Sequence, residues 1–201
     1  MSGYGILALV AAYLIGAVPI GLLVARLTGG VDIRRHGSGN IGATNVLRTM
    51  GRGPAIVTLL GDVAKGFAAV SLVRALVPDP AWSAAGAVAA LAGNCWSIFL
   101  RGRGGKGVAT GTGAFLAVAP WAVAVAGALF LLVTGTSRYV SLGSVLAAAA
   151  LPVATAALGY PGSAMVGAAV AATVIAWRHR ENLARLARGT ERRLGGRAGA
   201  A

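Results

Sequence analysis

Charge is scarce in this 201-residue chain: Asp, Glu, Lys and Arg together make up 11% of it, where an ordinary soluble domain carries roughly 25%. Acidic residues are scarcer still, five against 18 Lys and Arg. Cysteine occurs once, as Cys95, which excludes a disulfide framework and any thiolate metal cluster and leaves the redox compartment undetermined. The first apolar stretch, Ile6 to Leu27, has neither a basic leading region nor an Ala-x-Ala exit, so a retained span is expected there and not a cleaved signal. What is present is apolar. A hydrophobic content of 57% and a mean hydropathy of +0.76 exclude a soluble enzyme, a disordered chain and a collagen-like one. The length suits a single domain, 1–201, and the composition an all-α polytopic membrane protein. In a soluble protein the formal charge of +13 would suggest nucleic acid. Here the basic residues lie between apolar runs, so cytoplasmic loops, membrane lipids and anionic substrates are the expected partners, and nucleic acid is not.

A crossing helix needs about 20 apolar residues. Three runs qualify directly, near Gly5–Leu27, Pro54–Leu76 and Trp82–Leu100. A fourth, Val108–Trp177, contains Arg138 as its one charge. The charged segments Arg26–Arg52, Arg101–Lys106 and Arg178–Arg197 hold all but three of the 18 basic residues. The positive-inside rule places them in the cytoplasm and the N-terminus outside. The long run then starts and ends on the cytoplasmic side and crosses an even number of times. Two crossings would be too long; four short ones fit, with breaks at Ala119-Pro120-Trp121, Thr134–Arg138 and Gly159-Tyr160-Pro161-Gly162. Seven spans are expected, some short or broken, with half-helices or a re-entrant hairpin open as alternatives for the middle pair. Residues 178–201 are expected to form a cytoplasmic juxtamembrane helix and basic tail.

Several polar groups are not explained by membrane burial. The first cytoplasmic loop carries Gly37-Ser38-Gly39-Asn40 and Gly42-Ala43-Thr44-Asn45, with Arg48 three residues on. Closely spaced glycines let amide N–H groups converge on an anion, and Ser, Thr, Asn and an Arg fork add donors. A flexible loop with a polar helix cap is the alternative; Arg48 on the opening helix turn favours a phosphate site. His36 is expected at the loop edge. The second loop, Gly102-Arg103-Gly104-Gly105-Lys106-Gly107, resembles a P-loop in its logic but lacks the spacing and a preceding strand, which excludes a nucleotide triphosphatase. A bare basic turn is the alternative there. Against it, arginine supplies every cation except Lys65 and Lys106, and the two residue types are not equivalent at close-packed phosphate sites.

Lys65 follows Asp62 at i+3 inside the second span, a self-neutralising pair that serves either a function or an internal clamp between spans. In the tail, His179, Asn182 and Leu186 fall on one stripe of a helix continuing the last span. Arg178, Glu181, Arg185 and Arg188 interleave on another face that suits anionic lipid. Ser141 and Ser144, also i,i+3, face one way at the start of a span, where back-bonding to the helix is common.

Taken in order, these segments resemble the bacterial acyl-phosphate:glycerol-3-phosphate acyltransferase family (PlsY). The resemblance rests on Gly37–Arg48, Asp62–Gly66, Gly104–Thr110, Arg138–Ser144 and the His-x-x-Asn-x-x-Arg-Leu-x-x-Gly-x-Glu pattern at His179–Glu191. It covers nearly the whole chain. One departure stands in the second motif, where the family usually begins Gly-His and carries a Pro soon after. Here Asn94 and Ser97 occupy those places, and Asn94 cannot carry a proton charge. A divergent paralogue with altered activity is one reading of that departure.

The resemblance implies transfer of a fatty acyl group from acyl-phosphate to the sn-1 hydroxyl of glycerol 3-phosphate, at the cytoplasmic side of the bacterial inner membrane. It requires no cofactor and no metal. Ser38, Asn40, Thr44, Asn45 and Arg48, with Gly37 and Gly39, would hold one phosphate. Lys106 and the amides of Gly104, Gly105 and Gly107 would hold another. His179 and Asn182 would orient the glycerol moiety, with Ser141 and Ser144 completing the wall and the acyl chain lying in a groove entered sideways. No nucleophile set is visible, so no acyl-enzyme is expected. A phosphate oxygen of the donor would take the proton, with His179 as general base the competing view. An organophosphate or lipid transporter is the rival class and a membrane scaffold a second. The first is disfavoured by the absence of an internal repeat, the second by the clustering of neutral polar residues with glycines.

Overall fold

The structure, a computed structural model, describes residues 3–195. Residues 196–201, including Arg197 of the expected basic tail, lie outside the described residues, as do Met1 and Ser2. Among the described residues the regular elements are all helical. The helices are α1 (Gly3–Ala17), α2 (Ile20–Gly29), α3 (Ala43–Met50), α4 (Arg52–Leu76), α5 (Pro80–Cys95), α6 (Val108–Leu116), α7 (Pro120–Ser137), α8 (Val140–Ala157), α9 (Gly162–Arg178) and α10 (Arg180–Ala187). Short 3-10 turns cover Ile33–Arg35 and Ile98–Leu100.

Among the described residues, five segments are long and apolar enough to cross a membrane: Gly3–Gly29, Arg52–Leu76, Pro80–Leu100, Pro120–Ser137 and Val140–Ala157. Helix α9, at 17 residues, is slightly shorter. Helix α6 is the outlier: nine residues rise only ~13.5 Å, less than half of a ~30 Å hydrocarbon core. The three breaks expected in the long apolar run are present, at Ala117–Ala119, Arg138–Tyr139 and Leu158–Pro161. Pro120 opens α7, and Arg138 ends it in the left-handed region at φ 64°. Two breaks were not expected. Pro19, which lacks an N–H, divides the first span into α1 and α2. His179 divides α9 from α10, so the tail is a separate short helix and not a continuation of the span.

Helix α5 is the centre of the bundle and packs on α1, α4, α6 and α9, while α7, α8 and α9 form a row beside it. The main core draws Val70, Leu91, Phe115, Val123, Ala148 and Ile175 from α4 to α9, one from each. Small residues allow the close approach on which helix association in lipid depends. A Cβ on Gly66 of α4 would run into the Thr110 carbonyl of α6, and one on Gly113 of α6 into the Val63 carbonyl of α4.

Polar ties hold the same elements where apolar packing cannot discriminate. Lys65 Nζ lies 2.7 Å from Asp62 Oδ1 and donates to the Val18 carbonyl at 2.7 Å and to Asn94 Oδ1 at 3.0 Å. Ser97 Oγ donates to the Ala17 carbonyl at 2.6 Å, and Tyr13 donates its hydroxyl to the Trp96 carbonyl at 2.6 Å. Pro19 and the break before it remove helical donors from the Ala17 and Val18 carbonyls; Ser97 bonds the first, and Lys65 joins the Ile20 N–H on the second. The Asp62–Lys65 pair is thus a clamp between spans, and it also borders the cleft described below. Lys65→Met removes the cation and leaves the Asp62 carboxylate buried without its counter-charge. We expect a loss of ~3–5 kcal/mol of stability, with the double variant Asp62→Leu/Lys65→Met recovering most of it. Unfolding free energies of the purified variants check both values.

Candidate active site

At one end of the bundle the loop before α3, the loop before α6, the start of α8 and the α9–α10 junction meet around a cleft of about 930 Å³. Each wall is built by a local device that is visible in the sequence. Gly37 and Gly39 adopt φ values of 61° and 70°, and a Cβ at Gly37 would strike the Asn45 side chain. The turn they make is closed by Asn45 itself. Its Oδ1 accepts from the Ser38 N–H at 2.8 Å, and its Nδ2 donates to the carbonyls of Asn40 (2.8 Å), His36 (3.0 Å) and Ile33 (3.3 Å). Asn45 therefore shapes the loop, and its amide is fully engaged. Asn40 Oδ1 accepts from the Gly42 N–H at 2.9 Å, which sets the entry to α3. Ser38, Asn40, Thr44 and Arg48 line the cleft, and the first turn of α3 brings its unpaired N–H groups to the same wall.

The second loop is arranged differently from the expectation that its glycine amides face an anion. The N–H of Gly105 donates to the Asn94 carbonyl at 2.8 Å and that of Gly104 to the Cys95 carbonyl at 3.2 Å, so both cap the end of α5. Their own carbonyls accept from Arg178, at 3.0 Å each. Gly104 and Gly105 thus form a frame, while Gly107, at φ 81°, starts α6 next to Lys106. Lys106 reaches across the cleft and donates to Asn182 Oδ1. Burial lowers its pKa from the ordinary lysine value to about 8.

A carboxylate absent from the expected site residues organises the opposite wall. Glu191 Oε1 accepts from Asn182 Nδ2 at 2.6 Å and from Ser141 Oγ at 2.9 Å, and Oε2 pairs with Arg185 at 2.7 Å. Burial pushes the Glu191 pKa up, but hydrogen bonds from Asn182, Arg185 and Ser141 outweigh it and hold the group below the usual carboxylate range. The chain Lys106–Asn182–Glu191–Ser141 joins α6, α10, the tail and α8. Tail residues beyond Glu191 continue over the cleft: Arg48 donates to the Arg192 carbonyl at 3.3 Å, and Arg138 grips Leu194 through its guanidinium and its own carbonyl. Arg178 and Arg185, expected to lie on a lipid-facing stripe, are drawn into the site. One signal for Glu191 was available: a carboxylate in the basic tail of a chain that has five acids in all.

His179 is buried, with its Nδ1 2.8 Å from the Ile175 carbonyl, so the proton sits on Nδ1 and Nε2 keeps its lone pair. Burial lowers its pKa to about 4, aided by the positive charge of Lys106. It is a neutral group at pH 7. Ser144 back-bonds to the Val140 carbonyl at 2.8 Å and contributes wall without a free proton. His36 is exposed at the loop edge, outside the cleft lining. Below this polar ring the lining turns apolar, with Leu91, Phe115, Ala148, Leu151 and Ile175. Leu60 of α4 and Leu131 of α7 also line the cleft yet stay 62% and 70% exposed, so it opens sideways between those helices, where the short α6 leaves a gap.

The whole arrangement has known counterparts. A crystal structure of PlsY (YgiH), described as an integral membrane glycerol 3-phosphate acyltransferase in its glycerol 3-phosphate form, superimposes with a TM-score of 0.90 at 35% identity over 96% of both chains. Its lysophosphatidic acid form gives 0.88 at 34% identity, again over 96% of both. Among curated relatives named glycerol-3-phosphate acyltransferase, that of Rubrobacter xylanophilus is 47% identical over 96% of this chain and 97% of its own length. That of Geobacter sulfurreducens is 50% identical over 91% and 94%. The family model described as Glycerol-3-phosphate acyltransferase matches residues 6–189. The chain belongs to the glycerol-3-phosphate acyltransferase family.

Proposed function

We propose that the protein transfers a fatty acyl group from acyl-phosphate to the sn-1 hydroxyl of glycerol 3-phosphate, forming lysophosphatidic acid and inorganic phosphate. The observation that carries this is the shape of the cleft: a ring of phosphate-suited groups at one end, an apolar groove below, and a side opening between α4 and α7. A donor with a phosphate head and a long acyl chain has both halves of that chemistry. The polar ring is read as facing the cytoplasm of a bacterial inner membrane, with seven apolar segments crossing and the N-terminus outside. Lys106, Arg48, Arg101 and Arg103 gather at that end, as the positive-inside rule requires.

In this reading Arg48, Ser38, Asn40, Thr44 and the amides of Gly37, Ala43 and Thr44 hold one phosphate, while the Gly39 N–H, expected to join them, closes the turn on the His36 carbonyl at 3.0 Å. Asn45 keeps their loop in shape. Lys106, beside Gly107, holds the other and stabilises the charge that develops as the acyl–phosphate bond weakens. Gly104 and Gly105 fix the position of Lys106 through α5 and Arg178. His179 and Asn182 orient the glycerol moiety, and Glu191 holds Asn182 and Ser141 in place. The hydroxyl oxygen attacks the acyl carbonyl carbon, the bond from that carbon to the phosphate oxygen breaks, and the departing phosphate carries off the hydroxyl proton. No covalent enzyme intermediate is needed. Asn94, where the family usually has His, serves by accepting from Lys65 through its side-chain Oδ1, which needs no ionisable ring; the Gly105 N–H bonds its main-chain carbonyl, which any residue supplies.

Phosphate release from a synthetic acyl-phosphate, with and without glycerol 3-phosphate, tests the assignment. Release should depend on the acceptor, and neither acyl-CoA nor acyl carrier protein should replace the donor, since the polar ring is matched to a small phosphate. Comparable rates from acyl-CoA would overturn it.

Lys106→Ala should lower kcat/KM by at least ~10²–10³ while the protein still folds and inserts. Lys106→Arg should recover little, because an Arg-rich chain has kept Lys there. Near-normal turnover in Lys106→Arg would refute the specific role of lysine.

Activity should fall as pH rises through about 8, because the Lys106 cation is present below that value and lost above it. His179, with its pKa near 4, contributes no ionisation between pH ~5 and ~8, and His179→Asn should keep part of the activity and the same acid limb. The contrary result is an acid limb near pH ~6.5 that disappears in His179→Asn along with about three decades of rate, which would make His179 the general base.

A further inference from the structure

The apolar groove below the polar ring is closed at its far end. From Gly107 to Phe115 along α6 is ~12 Å, and from Ser141 to Leu151 along α8 is ~15 Å. At that depth Phe115, Leu151 and Val123 converge from three helices, and all three line the cleft. Phe115 and Val123 belong to the main core, and Leu151 packs against it. Leu151 also packs on a second buried cluster, Ala119, Ala122 and Ala154, which fills the space behind it. The walls above are small: Gly127 of α7 and Ala147 and Ala148 of α8 face the cleft. A narrow-walled groove with a solid end limits the length of what lies in it.

We propose that Leu151, backed by the buried Phe115 and Val123, sets the acyl chain length that the protein prefers, by stopping the terminal methyl end of the donor's chain. The inference rests on the acyl-phosphate reading above. The chain enters through the gap between Leu60 and Leu131 and comes to rest with its phosphate at Lys106 and its tail against this floor. A methylene zigzag of ~1.5 Å bonds advances ~1.3 Å per carbon, so the closed depth takes about 10–12 carbons beyond the head group in extended form. Each further methylene that a deeper groove buries is worth about fourfold in relative kcat/KM.

The test is a series of saturated acyl phosphates from decanoyl to octadecanoyl, each assayed with glycerol 3-phosphate by phosphate release. Phe115→Ala and Leu151→Ala should move the optimum to longer chains by about two carbons, raising the long-to-short ratio of kcat/KM by ~10-fold or more. Ala147→Leu, which fills the wall higher up, should move the optimum to shorter chains and does so without opening a cavity. Val153→Ala, on the lipid-facing side of α8 at 68% exposure, is the control and should leave the profile in place. Profiles for Leu151→Ala and Ala147→Leu that superimpose on that of the unaltered protein overturn the inference, and mean that the chain leaves through the side opening instead. If Leu151→Ala or Phe115→Ala does not fold, an unshifted Ala147→Leu profile overturns it alone. Turnover of no acyl-phosphate by the unaltered protein overturns the donor assignment and this inference together; turnover with unshifted profiles overturns only the latter.

Discussion

Hydrocarbon offers no hydrogen bonds, so each polar atom that enters the bundle must bring its partner with it. Lys65 is where this constraint is met most densely. One ammonium group forms an ion pair with the carboxylate of Asp62 on its own helix and donates to the Val18 carbonyl at the α1–α2 break and to the side chain of Asn94 at the end of α5. Three chain segments are therefore fixed relative to one another by two hydrogen bonds and one ion pair from a single group. The fixed end of α5 then holds the glycines that precede Lys106. The position of the cation in the polar ring is traceable, bond by bond, to a pair buried inside the second long apolar segment.

The polar ring follows the same rule with different residues. Glu191 gathers three donors, and one of its partners, Asn182, is also the acceptor for Lys106. Arg178 serves the backbone of the glycine loop and Arg138 the backbone of the tail. Several arginines in this chain are thus structural donors to carbonyls, a task suited to a planar fork with five N–H groups. That division leaves Lys106, with a compact and movable charge, as the cation that reaches across the cleft.

Much of this was legible in the sequence. The breaks around α7 and α8 were marked by Pro120, Arg138, Gly159 and Pro161, because backbone chemistry at such residues is local. The residues of the two glycine loops, Lys106, His179, Asn182 and Ser141 were marked by polarity in places where lipid would reject it, and the structure brings them to one cleft. What was not legible depended on partners far away in the chain. The break at Pro19 is bridged by Lys65 and Ser97, which lie far away in the chain. Asn45 reads as a ligand in sequence but turns inward on its own loop, and the amides of Gly104 and Gly105 turn to α5. Glu191 falls twelve residues after His179, and a helical stripe that continues the span has no means of showing that the chain folds back.

The break between α1 and α2 bears on how the molecule is assembled. The Ala17 carbonyl finds its donor in Ser97, and the Val18 carbonyl adds Lys65 to a local bond from the Ile20 N–H; Ser97 and Lys65 both emerge from the ribosome later in the chain. Until α4 and the end of α5 have arrived, the first apolar segment cannot settle at depth in lipid with its backbone satisfied. It must wait at the interface, or beside the insertion machinery, and move inward together with its partners. Helices α1 to α5 would in that case enter the bilayer as one cooperative unit, on which the shorter, break-rich half of the chain is then laid down.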